Sequence, residues 1–334
     1  MNLDAIDWDL LKRLRANFLS GVTGTKDYWQ SESDLASYDE TFAQRIGWKW
    51  DYVIKELKQR GWSPPAGGLL AWGCGSGVAG RAFLDQFGGD TVSACQLWDR
   101  SALAMKFAAA RMRKKYPRLD VTVQMDDPLR GASIPATLLI SHVLNELTAE
   151  KTQTLVDFAA KVTSVLWVEP GTYEASLTLI AIRERLRKDM NVIAPCTHGA
   201  RCGILAPGNE RHWCHHFASP PPEIFTDANW SRFANELGID LHDLPLSFLV
   251  LDKRPGTPLA KGATRVIGHP RLYKAHALML GCDECGVRER RLMKRHHPDI
   301  FKSIKKGRSA SLQSWRCESD EITEIERLFW KGDG

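Results

Sequence analysis

Apolar residues along this chain recur first at helical and then at strand spacing, and the change of period falls near residue 67. Before it, Leu10, Leu11, Leu14 and Phe18, then Trp48, Tyr52, Val53, Ile54 and Leu57, repeat at intervals of three and four, which predicts helices. Trp62-Ser63-Pro64-Pro65-Ala66-Gly67-Gly68 gathers helix breakers and closes this preface. The preface is expected to cover one side of a sheet or the mouth of a cofactor site; its sequence shows no chemistry of its own. From Leu69 onward short apolar runs alternate with amphipathic segments. Strands are predicted at 69–72, 95–98, 121–125, 137–141, 164–168 and 246–251, and helices at 101–116, 155–162 and 175–188. Such alternation builds a mostly parallel α/β sheet with helices on both faces, whose ligands lie beyond the carboxyl ends of the strands.

The first strand runs into Gly73-Cys74-Gly75-Ser76-Gly77-Val78-Ala79-Gly80. Strand, glycine turn and helix in that order seat a nucleotide-type cofactor, because glycine lets the backbone approach the ligand and the helix start offers unpaired N–H groups. Gly75 to Gly80 fits the dinucleotide pattern G-x-G-x-x-G, and Gly73 to Gly77 fits the G-x-G-x-G of class I methyltransferases. Asp99, at the end of the second strand and about twenty residues past the loop, is placed to take both ribose hydroxyls of either ligand. It supports the fold without choosing between NAD and S-adenosylmethionine.

Further polar residues fall at strand ends: Asp126, Asp127, His142, Asn145, Glu146 and Glu169. Gly73, Cys74, Gly75, Ser76, Gly77, Asp99, Asp126 and His142 form the expected cofactor set, and His142, Asn145 and Glu169 are the catalytic candidates. Each has a plainer role open to it. Asn145 and Glu146 can cap a turn, Glu169 can pair with Arg183 or Arg185, and Cys74 and Cys95 suit an apolar core.

Composition is that of an ordinary globular protein, and no apolar run reaches the roughly 20 residues of a membrane span. Met1-Asn2-Leu3-Asp4-Ala5-Ile6-Asp7 does not read as a signal peptide, so the expected compartment is the cytoplasm, where eight cysteines are thiols or metal ligands rather than disulfides. The net charge of +5 hides an asymmetry. Residues 253–316 hold sixteen Lys and Arg against four Asp and Glu, or +12, leaving 29 against 36, or −7, for the rest. A basic module on an acidic body points to a polyanionic partner. Its densest part is Arg288, Arg290, Arg291, Lys294, Arg295, Lys302, Lys305, Lys306 and Arg308. Three regions follow: a helical preface to residue 66, an α/β domain over 67–252, and a basic module over 253–334.

Cys196 and Cys202 lie in a Pro- and Gly-rich stretch, and Cys214 follows in Trp213-Cys214-His215-His216-Phe217. Three cysteines set in turns are not a packing pattern; such loops wrap a metal centre that supplies the stability a sparse core lacks. Cys282 or Cys285 offers a fourth thiolate. Zinc would take three of these with His198, His215 or Cys282, and an iron–sulfur cluster would take four thiolates; the spacing leaves both open.

Several segments together carry a family likeness: Gly73-Cys74-Gly75-Ser76-Gly77, Val143-Leu144-Asn145-Glu146-Leu147, Val168-Glu169-Pro170-Gly171-Thr172, Ala194-Pro195-Cys196-Thr197-His198 with Cys202, and Trp213-Cys214-His215-His216-Phe217. In this order they resemble the methyltransferase-like proteins associated with the small ribosomal subunit, best known from mitochondria. The resemblance implies a class I S-adenosylmethionine-binding, Rossmann-like fold and a [4Fe–4S] cluster, with zinc as the alternative. It also implies action on small-subunit rRNA in methylation or assembly. Cys196, Cys202 and Cys214 match the family's first three ligands, and Cys282 matches the fourth better than Cys285. A monomer is expected. One departure is Ala71, where active methyltransferases usually carry Asp or Glu two positions before the first loop glycine. No Asn-Pro-Pro-Tyr motif is present. A non-catalytic rRNA-binding assembly factor and, more distantly, an NAD-dependent oxidoreductase are the competing functions.

Overall fold

A computed structural model describes residues 6–20, 29–131 and 133–328. Residues 1–5 of the chain start, and the side chain of Phe18, lie outside what it describes. The chain divides into two compact units, one of residues 1–56, 63–170 and 217–246, the other of 57–62, 171–216 and 247–334.

In the first unit the preface forms α1 (Trp8–Ser20), α2 (Glu32–Asp39) and α3 (Phe42–Gln59), the last running on into the second unit. Ser31 caps α2 by accepting the Asp34 N–H, the arrangement that satisfies an orphan donor at a helix start. The α/β part follows as β1 (Leu69–Trp72), α4 (Val78–Phe87), β2 (Cys95–Trp98), α5 (Ala102–Lys115), β3 (Val121–Val123), β4 (Thr137–Ser141), α6 (Ala149–Ala159) and β5 (Ser164–Pro170). These five strands are parallel in the order β3-β2-β1-β4-β5. Register aligns Leu69 with Cys95 on one side and with Thr137 on the other, so the strand order reverses at the β1/β4 boundary. Every residue of β1 is buried, as expected for a strand covered on both faces. The third strand ends two residues earlier than its apolar run predicts, leaving Met125 exposed.

The second unit holds α7 (Tyr173–Leu186), β6 (Asn191–Ala194) and the cysteine-rich loop. Next come β7 (His216–Ala218) and α8 (Ala228–Leu237), and α8 belongs to the first unit. There Trp230, Phe233 and Leu237 pack with Leu10, Leu11 and Leu14 of α1, which is how the preface is held. Strand β8 (Leu244–Asp252) pairs antiparallel with β6, Asn191 opposite Asp252. The basic module is a closed five-stranded barrel of β9 (Ala263–Leu272), β10 (His276–Asp283), β11 (Gly286–Met293), β12 (Leu312–Glu318) and β13 (Glu321–Arg327), with α9 (Pro298–Lys305) between β11 and β12. Val266, Ala277, Met279, Leu292, Phe301, Ile304, Trp315 and Ile322 fill it. Among the described residues no helix is long and apolar enough to cross a membrane.

Candidate functional site

The glycine loop after β1 needs left-handed backbone. Gly73, Gly75 and Gly77 have φ of 66°, 52° and 85°. A Cβ on Gly73 would stand 2.8 Å from Val143 Cγ1, and one on Gly77 would stand 2.9 Å from the Ala108 Cβ. Glycine is therefore demanded here by conformation and by space together. Asp99 fixes the loop from beneath: one carboxylate oxygen accepts the Gly75 N–H at 2.9 Å and the other the Ser101 N–H at 2.9 Å.

A cavity of about 340 Å³ opens beside this loop. Gly73, Cys74, Gly75, Ser76, Asp99 and His142 line it; Gly77 stands next to it at the start of α4. Trp72 and Trp98, neighbours across β1 and β2, stack at 4.9 Å and 19° to form an aromatic wall. The Lys151 ammonium lies 5.9 and 5.7 Å from their ring centres and pairs with Asp127, which also accepts the Trp72 indole N–H at 3.2 Å. The preface closes the other side with Trp29, Tyr38 and Ile46.

Asp126 is exposed and does not line the cavity; its neighbour Asp127 makes the contacts. Asn145 is also exposed and away from the lining. Glu169 is buried, and its carboxylate accepts N–H groups of Trp167 at 2.7 Å and Val143 at 3.1 Å. Burial pushes its pKa up to about 7 despite these bonds. It braces the β4–β5 ends and does not border the cavity. His142 alone of the three catalytic candidates lines it, with a left-handed φ of 56° that is uncommon outside glycine. Its Nδ1 is 3.1 Å from Ser141 Oγ, which accepts the Trp50 indole N–H at 3.0 Å, and its Nε2 is 3.4 Å from Lys49 Nζ. Burial and then the neighbouring Lys49 hold the His142 pKa well below the usual imidazole value, and burial lowers that of Lys49 to about 7. Lys49 thus brings a preface side chain against a residue that lines the cavity. Its place among the apolar residues of α3 is a signal of burial but not of its partner.

In the second unit, Cys196, Cys202 and Cys214 border one small cavity, and Cys202, Cys214 and Cys282 share an apolar cluster with Ile180, Ile204, Ile267 and Val287. Cys285 is exposed at the β10–β11 turn. The Cys214 thiol is pushed up by burial and then by the proximity of Cys196, Cys202 and Cys282. Burial and then Cys196 raise Cys202 to about 11. Each of the four sulfurs also meets an N–H or ring nitrogen. Arg183 Nε is 3.2 Å from Cys196, His216 Nε2 is 3.6 Å from Cys214, His198 Nε2 is 3.8 Å from Cys282, and the Ile204 backbone N–H faces Cys202. Arg183, almost fully buried, also donates to the His198 and Ala200 carbonyls; Arg60 holds those of Ile193, Pro195 and Cys196, and Arg265 that of Pro195. Three buried guanidinium groups thus hold the carbonyls of this loop, and Arg183 pairs with Glu184 as well. Among the described residues no three His, Cys, Asp or Glu side chains converge closely enough to ligate one metal ion.

The nine cations of the basic module do not act as one patch. Arg290 donates to the Ser319 carbonyl and Arg291 pairs with Asp320 at 2.9 Å, tying β11 to the β12–β13 turn. Lys294 lies 5.7 Å from the Phe301 ring, and Arg295 donates to His296. Arg288, Lys302, Lys305, Lys306 and Arg308 are exposed.

A parallel sheet reversing at β1/β4, a glycine loop and acidic strand end at its carboxyl edge, and a late antiparallel strand define a class I methyltransferase fold. Residues 69–311 match the model of the family described as mitochondrial small ribosomal subunit Rsm22, and the chain belongs to that family. Among solved structures it is similar to the N-methyltransferase NodS of Bradyrhizobium japonicum in complex with S-adenosylhomocysteine (12% identity, TM-score 0.42, 67% of this chain and 96% of that one). It is likewise similar to the magnesium protoporphyrin IX methyltransferase of Synechocystis with bound S-adenosylmethionine (9%, 0.40, 74% and 97%). A third likeness is to an rRNA methylase of Escherichia coli (14%, 0.37, 59% and 74%). No curated protein is matched by sequence.

Proposed function

We propose that this chain binds S-adenosylmethionine and acts on the rRNA of the small ribosomal subunit, with methyl transfer as its chemistry. The observation that carries the reading is the cavity where the Gly73–Gly77 loop, Asp99 and the Trp72/Trp98 wall meet. When bound, the cofactor supplies a methyl group on a positively charged sulfur. Asp99 lines the cavity with a carboxylate, the group that accepts from ribose hydroxyls, and its oxygens are oriented by backbone N–H groups of Gly75 and Ser101. His142, neutral at pH 7, borders the cavity with its ring nitrogens against Ser141 Oγ and Lys49 Nζ, so it shapes the wall a target base would meet. Lys49 stands behind it to orient the ring.

The cysteine loop would take a resident iron–sulfur cluster, with zinc as the alternative. Four thiols gather, each sulfur has a nitrogen partner, and four soft thiolates are the donor set such a cluster needs. Cys196, Cys202, Cys214 and Cys282 would hold it, and the cluster would staple the loops of the second unit. The basic barrel supplies the rRNA contacts. We further propose a monomer in a reducing compartment, the cytoplasm, where free thiols persist; the family description itself names the mitochondrial subunit.

Ala71, small and apolar in the strand before the loop, favours a second reading: an assembly factor that binds the cofactor without transferring its methyl group. The two readings part on one experiment. Tritiated S-adenosylmethionine is mixed with small subunits from cells lacking the protein, and label in rRNA is counted. Label that depends on Asp99 supports transfer; tight subunit binding without label supports the assembly factor.

A further inference from the structure

The barrel's topology bears on what it binds. Its five strands run β9-β10-β11-α9-β12-β13 in sequence, yet close in the order β10-β11-β13-β12-β9. All neighbours are antiparallel except β11 and β13, which pair in parallel at Arg291 and Glu321. A helix between the third and fourth strands and a parallel third–fifth pairing describe an OB-fold. Such barrels take oligonucleotides across the outer face of their second and third strands and the loops bordering it.

Here that face is divided. Directly opposed residues of β10 and β11 share a side, so Leu280, Cys282 and Val287 point outward where Ala277, Met279 and Leu292 point in. The outward set packs with Ile204, Cys202 and Cys214 of the cysteine loop, which covers that end. The opposite end carries the β9–β10 turn. There Tyr273 is 47% exposed, and its ring stacks on that of His276 at 4.8 Å and 9°. The turn is closed by the Tyr273 N–H donating to the His276 carbonyl at 2.9 Å. One face of the phenol is thus backed by an imidazole, and the ring is held by its turn. Lys274, exposed on the turn, makes no ion pair among the described residues; Arg271 on β9 pairs with Glu289 of β11, and the Lys294 N–H anchors the end of β11 to the Ala275 carbonyl.

We infer that the Tyr273 turn of the barrel is a binding site for single-stranded RNA, in which Tyr273, backed by His276, stacks an unpaired base and Lys274 takes a flanking phosphate. The inference rests on the rRNA reading above and narrows it to one surface and one strand form. Stacking on an aromatic ring accepts any base, and an A-form duplex keeps its bases out of reach of such a ring.

The test uses the full chain and a fluorescent twelve-nucleotide RNA of mixed sequence, as a single strand and as a duplex, by anisotropy. A parallel filter assay measures binding to whole small-subunit rRNA. Tyr273→Ala should weaken single-strand binding roughly five- to hundredfold, the range that one base stack supplies. Tyr273→Phe should keep it, and the duplex should bind more weakly than the strand and respond little to either change. Unchanged affinity in Tyr273→Ala, equal weakening in Ala and Phe, or tighter duplex binding would each overturn the inference while leaving the rRNA reading intact, provided the wild-type chain binds subunit rRNA. A wild-type chain that binds no RNA in either assay would remove both.

Discussion

Lys49 Nζ lies 3.4 Å from His142 Nε2, so two bases that would each carry a proton in mildly acid water share one contact at the edge of the cavity beside the glycine loop. Burial lowers the lysine to about 7, and the same burial together with Lys49 keeps the imidazole neutral. The pair also ties the preface helix α3 to the end of β4, 93 positions apart.

The first prediction concerns that pair and pH. Lys49 binds its proton up to about 10.5 when unfolded but only to about 7 when folded. Between these values the unfolded state holds more protons, so this group makes stability rise with pH from about 7 to about 10.5; its penalty is fully present below 7. Lys49→Met should remove that rise. Denaturant midpoints at pH 7 and pH 9 for both proteins check it, and an equal difference in the two would refute the lowered lysine.

Asp99→Ala takes away the acceptor of the Gly75 and Ser101 N–H groups as well as the proposed ribose partner. S-adenosylmethionine binding should weaken by about 1–3 kcal/mol. Asp126→Ala, at an exposed position off the cavity, should leave it unchanged. Titration calorimetry on the two variants distinguishes them.

For the cysteine loop, anaerobically purified protein should be brown and carry four irons with matching sulfide. Ser in place of Cys196, Cys202, Cys214 or Cys282 should remove colour and solubility together, while Cys285→Ser keeps both. Iron and zinc analysis decides: one zinc and no colour would show a single-ion site instead.

Ion pairs in the barrel change which cations are worth replacing. Arg290 and Arg291 hold the β12–β13 turn, so replacing them would loosen the barrel itself. Lys294, Arg295, Lys302 and Lys306 are exposed, and their joint replacement by Ser should flatten the salt dependence of rRNA binding. The log–log slope should fall by roughly 0.7–0.9 for every phosphate that these side chains neutralise. An unchanged slope would make them a solvated surface only.

The parallel strands and their glycine loop were legible because a strand buried on both faces writes itself as a continuous apolar run, as in Leu69 to Trp72. The barrel was not. Gly286–Met293 has Leu292 facing the barrel core and Val287 the cysteine loop, and its charges read as a basic segment rather than a strand. Asp127 and Asp126 are adjacent in a turn, and only side-chain direction assigns the contact to Asp127. The role of Lys49 is not legible along the chain, since its partner is fixed by tertiary packing, which no local period encodes.

The most direct measurement is calorimetry on the anaerobically purified chain with S-adenosylmethionine, S-adenosylhomocysteine and NAD in turn. The cavity beside Gly73–Gly77 should take one equivalent of either S-adenosyl compound, with the affinity reduced in Asp99→Ala. NAD should bind far more weakly or not at all. Tighter binding of NAD, or S-adenosylmethionine binding indifferent to Asp99, would contradict the account.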